Sequence, residues 1–520
     1  MKGMDISTLP EQRFGLIADL VKQHAQERPR HPAVIAGERM LDYGAFDSLA
    51  DRIAASLQRD GVKKGGAIAI CASASIEYAA VFIGALRTGV AVAPLAPSST
   101  PESLAAMTRD AGARFLFVDA GNAAELAPVQ GSIDASLIRL DDSAGGVALS
   151  SWLAPEGAQP EPVEIEPALP FNIIYSSGTT GTPKGIVQSH GMRWSHVQRG
   201  ALVGYGAQAV TVLATPLYSN TTLVSFFPTL TLGGTVVLMP KFDARGYLEL
   251  AQRHRATHTM LVPVQYHRLL ALPEFDSYDL SAFLMKFCTS APFSAALKAD
   301  ILRRWPGGLT EYYGMTEGGG TLVLAAHEYP DKLHTVGQPG PGSDIRLIDE
   351  EGREVAVGEM GEVVGHSPAM MNAYHNQPGK TAEAEWFDAG GKRFIRTGDV
   401  ARFDEDGFLT LFDRKKDMII SGGFNIYPSD LEAVMREHPA VMDVAVVGVP
   451  SERWGETPVA FAVLREGVSV TPDEIMEWTN SKLGKTQRLA ALEFIDVLPR
   501  SAIGKVLKRE LREAFGKRLA

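Results

Sequence analysis

The chain has 520 residues, so at about 150 residues per domain it exceeds a single core and reads as two to three domains or one large multi-lobed body. Hydrophobic residues make up 45% and charged residues 21%, ordinary globular usage that excludes disordered and fibrous classes. A net charge of −11 argues against a surface that coats nucleic acid, and two cysteines, Cys71 and Cys288, exclude a disulfide framework or a four-cysteine zinc site.

The first residues, MKGMDISTLPEQRF, lack the apolar core of a secretion signal, which together with the cysteine usage predicts a cytoplasmic protein. From Phe14 to about Pro240, helix-length segments alternate with short apolar runs. Ala45–Arg59 has helical spacing, AIAICA (67–72) reads as a buried strand, Tyr78–Thr88 returns to helix and VAVAPL (90–95) to strand. RFLFVD (114–119), TVLATP (211–216), TVVLMP (235–240), THTMLVP (257–263) and FLMKFCTSA (283–291) continue the strands, a pattern of parallel sheets covered by helices. The stretch at 154–167, rich in Ala, Glu and Pro, reads as a surface connection. Leu223–Pro240 is the most apolar segment, but Pro228, Gly233 and Gly234 interrupt it. A membrane span needs about 20 cleaner residues, so this segment reads as buried helix and strand, with no transmembrane segment.

After about Gly337 the runs shorten: DIRLID (344–349), GEVVGH (361–366) and GFLTLFD (407–413) sit between Gly, Asp and Glu turns and predict a small antiparallel region. Beyond Asp417 comes a compact α+β pattern: helix Ser429–Glu437, strands 441–450 and 458–464, helix Pro472–Leu483, strand 491–499 and a charged helix from Lys505. A domain boundary is expected at 413–417.

The strongest chemical signal is YSSGTTGTPKG, Tyr175 to Gly185, after the apolar FNII run. Three glycines let backbone approach a ligand closely, and five Ser/Thr hydroxyls, backbone N–H groups and Lys184 can wrap phosphate oxygens. The spacing is not that of the Gly-x4-Gly-Lys-Ser/Thr loop. A flexible surface loop has the same composition, but further motifs follow in order: EYYGMTEGG (311–319), FIRTGD (394–399), DRKKDMIISGGFNIYPSDLE (413–432) and PRSAIGKVLKREL (499–511). Together they resemble the ANL superfamily of adenylate-forming enzymes, which spans acyl- and aryl-CoA synthetases, nonribosomal peptide adenylation domains and luciferases.

The resemblance implies a role for each matching residue. Ser176, Ser177, Gly178, Thr179, Thr180 and Lys184 would hold ATP phosphates. Glu311, Tyr312, Tyr313 and Gly314 would form the nucleotide motif, with Tyr313 against the adenine, and Ser290, Ala291 and Pro292 would line its other face. Thr316 would hydrogen-bond the α-phosphate and Glu317 would hold Mg²⁺, a hard cation that prefers carboxylate and phosphate oxygens. Asp399 would accept from both ribose hydroxyls and Arg414 would donate to the nucleotide. Lys505 would offset the repulsion between the acyl carboxylate and the α-phosphate, although eight Lys/Arg in 488–520 also fit a solvated basic helix. Lys416 occupies the hinge position, and Gly422, Gly423 and Phe424 the loop beside the pantetheine arm of CoA. One departure stands out: in PLYSN (216–220), Ser219 replaces the histidine that many relatives carry, so the acyl pocket around Tyr218, Ser219 and Asn220 departs from the family pattern.

The resemblance thus implies an α/β protein. A large N-terminal domain, 1–416, would consist of helix-covered sheets plus a small antiparallel region, followed by a mobile α+β lid, 417–520. It implies an AMP-forming carboxylate–CoA ligase using ATP, Mg²⁺ and CoA on a medium-chain or aromatic acid, with no nucleic-acid partner, as monomer or homodimer. Two alternatives remain open: an adenylation enzyme that loads a carrier protein, disfavoured by the lack of a carboxylate in PLYSNTTLVSFF, and a catalytically silent nucleotide-binding member, disfavoured by the presence of Lys505, Glu317 and Asp399.

Overall fold

The computed structural model describes residues 9, 11–143, 146–176, 184–414, 417–421, 424–451, 454–484, 487–501 and 506–519. The protein is mixed α/β and divides into two compact units. The larger takes Met1–Leu333, Pro339–Asp344 and Gly365–Ile395; the smaller takes His334–Gln338, Ile345–Val364 and Arg396–Ala520.

Two sheets organise the larger unit. In the first, the strand order is Ala373–Tyr374, Lys184–Ser189, Pro170–Ser176, Ala91–Pro94, Ala67–Cys71, Ala113–Val118, Ser136–Arg139 and Val147–Ala148. Ala67–Cys71 pairs in parallel with both neighbours and is buried at every position, which is why its sequence is a continuous apolar run rather than an alternation. Toward the other edge the pairing turns antiparallel, and Pro170–Ser176 and Lys184–Ser189 form a hairpin whose register sets Tyr175 opposite Gly185 and Ser176 opposite Lys184. In the second sheet, Leu322–Ala325, Gly308–Tyr313, Met285–Cys288, His258–Leu261, Val210–Leu213, Thr235–Leu238, Pro32–Ala36 and Arg39–Asp42 lie in that order. Its centre is parallel, and the pairs Gly308–Tyr313/Leu322–Ala325 and Pro32–Ala36/Arg39–Asp42 are antiparallel.

The helices begin where the sequence supplies acceptors for otherwise unpaired backbone N–H groups: the side chains of Asp42, Ser75, Thr100, Ser189, Ser219, Asp243 and Ser294 all cap helix N-termini. The apolar Leu223–Pro240 segment resolves into the helix Asn220–Thr231 and the strand Thr235–Leu238, with Pro228 inside the helix. Gly200 permits the close packing there, because a Cβ at that position would lie 2.5 Å from the Cβ of Pro228. Phe82, Phe171 and Phe227 meet in edge-on and tilted pairs with centroids 5.0–6.0 Å apart and form the aromatic centre of the core.

In the smaller unit, the long hairpin Val441–Ser451 and Gly455–Leu464 is extended by Ile419–Ser421 and, in parallel, by Ala491–Phe494. Both faces are buried. Val444 and Val446 pack with Leu431, Met435 and Ile475, on the side of helices Pro428–Arg436 and Pro472–Lys482. Val447, Val449 and Phe461 pack with Leu511 and Phe515 of helix Lys508–Leu519. The predicted strand at 491–499 ends early, at Phe494, and the predicted charged helix starts at Lys508 rather than Lys505. Among the described residues no helix is long and apolar enough to cross a membrane.

Candidate active site

The antiparallel hairpin Pro170–Ser176/Lys184–Ser189 carries the two ends of the Gly/Ser/Thr loop. Ser177, Gly178, Thr179 and Thr180 lie outside the described residues, as do Lys416, Gly422, Gly423 and Lys505. Lys184, at the start of the returning strand, has its Nζ 5.0 Å from the ring centroid of Tyr374. Tyr374 lies on the neighbouring edge strand, opposite Ile186, and its Oη donates to Oε1 of Glu317 at 2.7 Å. Burial and the Glu317 carboxylate both hold the phenol of Tyr374 above its ordinary pKa, so it stays protonated as a donor.

The segment after Gly308–Tyr313 is fixed from its backbone. Met371 N–H donates to the Glu317 carbonyl at 2.8 Å, and Gln188 Nε2 donates to the Thr316 carbonyl at 2.6 Å. The chain passes so close to Ala369 that a Cβ on Gly318, whose φ is +74°, would sit 1.9 Å from the Ala369 carbonyl oxygen. The glycine after Thr-Glu is therefore a steric requirement.

Tyr312 and Tyr313 end the strand half-buried, and Tyr312 stacks on Phe287 at 5.7 Å. Gly314 follows and is exposed. The Glu311 side chain, by contrast, points into the interior and pairs with Lys298, the two side chains being 6% and 1% exposed. Burial pushes the Glu311 carboxyl up while Lys298 opposes it.

On the adjacent strand end, Ser290 has φ +81°, a left-handed conformation that costs a non-glycine residue about 1 kcal/mol or more, and its Oγ lies 2.6 Å from Thr221 Oγ1. Ala291 is half-buried and Pro292 exposed. Thr221 belongs to helix Asn220–Thr231, whose N-cap is Ser219: its Oγ accepts from Thr221 N–H at 3.3 Å. The residue in the family's histidine place thus starts a helix. Tyr218 is half-buried, and burial raises its pKa. Asn220 Oδ1 accepts from Gln188 Nε2 at 3.4 Å, so Gln188 ties the helix start to Thr316.

In the smaller unit, Asp399 and Arg414 are register partners in the strand pair Arg393–Phe403/Leu409–Arg414, and Asp399 N–H donates to Thr397 Oγ1 at 3.1 Å. Phe424 opens the strand Phe424–Ile426.

Residues 21–375 match the family model for AMP-binding enzymes, and residues 430–505 match the model for the C-terminal domain of AMP-binding enzymes. The chain belongs to this family, the ANL superfamily of adenylate-forming enzymes. It is 32% identical over 508 residues, 95% of each chain, to a fatty acid–[acyl-carrier-protein] ligase, ScoC, of Streptomyces coeruleorubidus. It is likewise 32% identical over 518 residues, 96% of this chain and 98% of the relative, to an indoleacetate–CoA ligase of Aromatoleum aromaticum. Among solved structures, ATP-bound MatB from Rhodopseudomonas palustris aligns with a TM-score of 0.86 at 27% identity, covering 96% of this chain and 99% of that one.

Several residues of this AMP-binding enzyme went unmarked in the sequence. Tyr374 lies 57 residues from the carboxylate it holds, within MMNAYHN, where nothing in the local pattern announces it. Gln188 and Asn172 are fully buried amides on strands that otherwise read as apolar, and a buried amide inside an apolar strand is the one signal that was available.

Proposed function

We propose that this adenylate-forming ligase is an AMP-forming carboxylate–CoA ligase of the cytoplasm that activates a medium-chain or aromatic acid. ATP and the acid give acyl-AMP and pyrophosphate; the CoA thiol then displaces AMP. A free carboxylate is a poor electrophile, and the mixed anhydride gives carbon a good leaving group. The protein's task is therefore positioning and charge stabilisation rather than covalent chemistry.

The observation that carries this reading is the convergence of Lys184, Tyr374 and Glu317: a cation from the end of the phosphate-loop hairpin and a carboxylate from the YGMTE segment meet on one tyrosine. The donor set suits Mg²⁺. No cluster of three or more His, Cys, Asp or Glu that could hold a metal exists among the described residues, and a magnesium ion used with ATP characteristically takes one or two carboxylates with phosphate oxygens and water. Glu317 would supply that carboxylate, and the ion would neutralise phosphate charge. Thr316 would donate to the α-phosphate, Tyr313 would lie against the adenine beside Ser290–Pro292, and Asp399 would receive the ribose hydroxyls with Arg414 next to it. Lys505 would bring its charge to the reacting carboxylate. Residues 1–416 would form the adenylation domain and 417–520 a lid that turns about Lys416, with Gly422, Gly423 and Phe424 receiving the pantetheine arm.

The 32% identity to a fatty acid–[acyl-carrier-protein] ligase supports a second reading, in which the acceptor is a carrier-protein phosphopantetheine. Pyrophosphate release across a panel of carboxylates, with CoA, with phosphopantetheinylated carrier protein and with neither, separates the two. Thioester on CoA alone is the expected result; thioester on carrier alone would replace the first reading with the second.

A further inference from the structure

The helix His190–Leu202 carries Arg193, His196 and Arg199 at a spacing of three residues, along one side of the helix. Arg193 is fully buried and His196 is 7% exposed. Arg193 has only neutral partners: Nε donates to Asn172 Oδ1 at 3.0 Å, Nη2 to Gln188 Oε1, and Nη1 lies 3.4 Å from His196 Nδ1. Arg199 Nη1 donates to Thr321 Oγ1 at 3.0 Å. Neither guanidinium has a carboxylate partner among the described residues. Burial lowers the pKa of both, and burial with the two cations holds His196 neutral.

The two arginines differ in one respect. The fork of Arg193 is closed by Asn172, Gln188 and His196, whereas Arg199 is half-buried and has given one donor to a hydroxyl. A guanidinium always carries its charge, and leaving such a charge in the interior without a counter-charge is strongly unfavourable. Arg199 also lies against the candidate active site. Thr321 follows Thr316 and Glu317 on the same segment, Tyr312 lies within electrostatic reach of the guanidinium, and Gln188, which holds Arg193, also bonds the Thr316 carbonyl. Tyr312, Phe287 and Tyr205 stack in turn with centroids 5.7 Å apart.

We propose that the acid activated by this protein carries a second carboxylate, distal to the reacting one, and that Arg199 receives it while Arg193 adds its field from behind. The inference rests on the ligase reading above and narrows its substrate class to acids with a remote negative charge. A planar fork with free N–H donors suits a carboxylate in bidentate geometry.

The test is ATP–pyrophosphate exchange with matched acids, hexanoate against hexanedioate and benzoate against 1,4-benzenedicarboxylate, for wild type, Arg199→Met and Arg199→Lys. The wild type should favour the diacid of each pair in kcat/KM by roughly 10- to 100-fold, mostly through KM. Arg199→Met should abolish or invert that preference, read as the diacid-to-monoacid ratio of kcat/KM within the variant, and Arg199→Lys should keep part of it. A wild type that prefers the monoacid, or a preference that survives Arg199→Met, overturns the proposal and leaves the ligase reading standing. No exchange with any acid overturns both. Thermal shift of the wild type with each free acid reads the same preference without a variant: hexanedioate should raise Tm more than hexanoate, and equal shifts count against the proposal.

Discussion

Tyr374→Phe removes one hydroxyl and leaves the ring on which Lys184 rests. The lost bond is a neutral O–H donated to a carboxylate at 2.7 Å, and such bonds contribute about 1.5–3 kcal/mol net. The Lys184–ring contact, with the ammonium 5.0 Å from the centroid, survives the substitution and contributes about 0.5–1 kcal/mol. The variant should still fold but with a lowered Tm from the lost bond, and the functional loss should fall on the orientation of Glu317. If Glu317 is the magnesium ligand, removing the group that holds it should raise the Mg²⁺ concentration for half-maximal exchange by roughly 10- to 100-fold. The rate at saturating Mg²⁺ should stay close to that of the wild type. The assay is ATP–pyrophosphate exchange at fixed ATP and acid with Mg²⁺ titrated, alongside a thermal melt. An unchanged magnesium dependence in a normally folded variant would refute the reasoning: Tyr374 would then only pin the edge strand to the Thr316–Glu317 segment.

Three further outcomes are expected. Lys505→Ala should lose about 10²–10³ in adenylation rate and keep thioester formation from supplied acyl-AMP, measured as separate half-reactions; an equal fall in both would remove Lys505 from the adenylation step. Glu311→Gln should leave the buried Lys298 ammonium without its counter-charge and cost about 3–5 kcal/mol in urea melts, whereas the double change Glu311→Leu/Lys298→Met should recover most of that loss; additive single effects would show that the two do not act as a pair. Burial lowers His190 and His258 to about 4, so the unfolded chain takes up protons near 6.5 that the fold refuses; stability should be complete above pH 6.5 and fall by about 3 kcal/mol per histidine as pH drops toward 4, with Glu311 offsetting part of the loss because its raised pKa lets the fold hold a proton there, and a flat urea-melt profile between pH 7 and 4 would contradict the assignment.

The sheets were legible because their central strands are buried on both faces and so read as unbroken apolar runs. Ala67–Cys71 and Ala91–Pro94 lie within a residue of the predicted segments. The errors lie where tertiary pairing, not composition, ends an element. FLMKFCTSA narrows to Met285–Cys288 because Ser290 turns into a left-handed conformation that no propensity would assign to serine. The short strand Ala373–Tyr374 has two residues and exists only through its partner Ile186–Val187. Its sequence, within MMNAYHN, carries neither alternation nor an apolar run, and so Tyr374 could not be tied to Glu317 in advance.

The site divides along the same physical line. Groups that meet a nucleotide must combine glycine, hydroxyl and charge at short spacing, and short spacing is visible in one dimension. Groups that hold those residues in place act through space. Gln188 joins Asn172, Arg193, Asn220 and the Thr316 carbonyl, partners that lie 5 to 128 residues away along the chain. A buried network of this kind is stable only if every member finds a partner, since each unsatisfied polar group costs about 1–3 kcal/mol. Its arginine is satisfied by amides and an imidazole rather than by a carboxylate, which leaves a net positive interior behind the Thr316 segment. Under the proposed function that charge would favour anions beside the segment, where the α-phosphate and the acyl carboxylate would approach one another. The same amide network that fixes the Thr316 backbone thus also holds the buried Arg193 charge, and a single substitution at Arg193 would disturb both together.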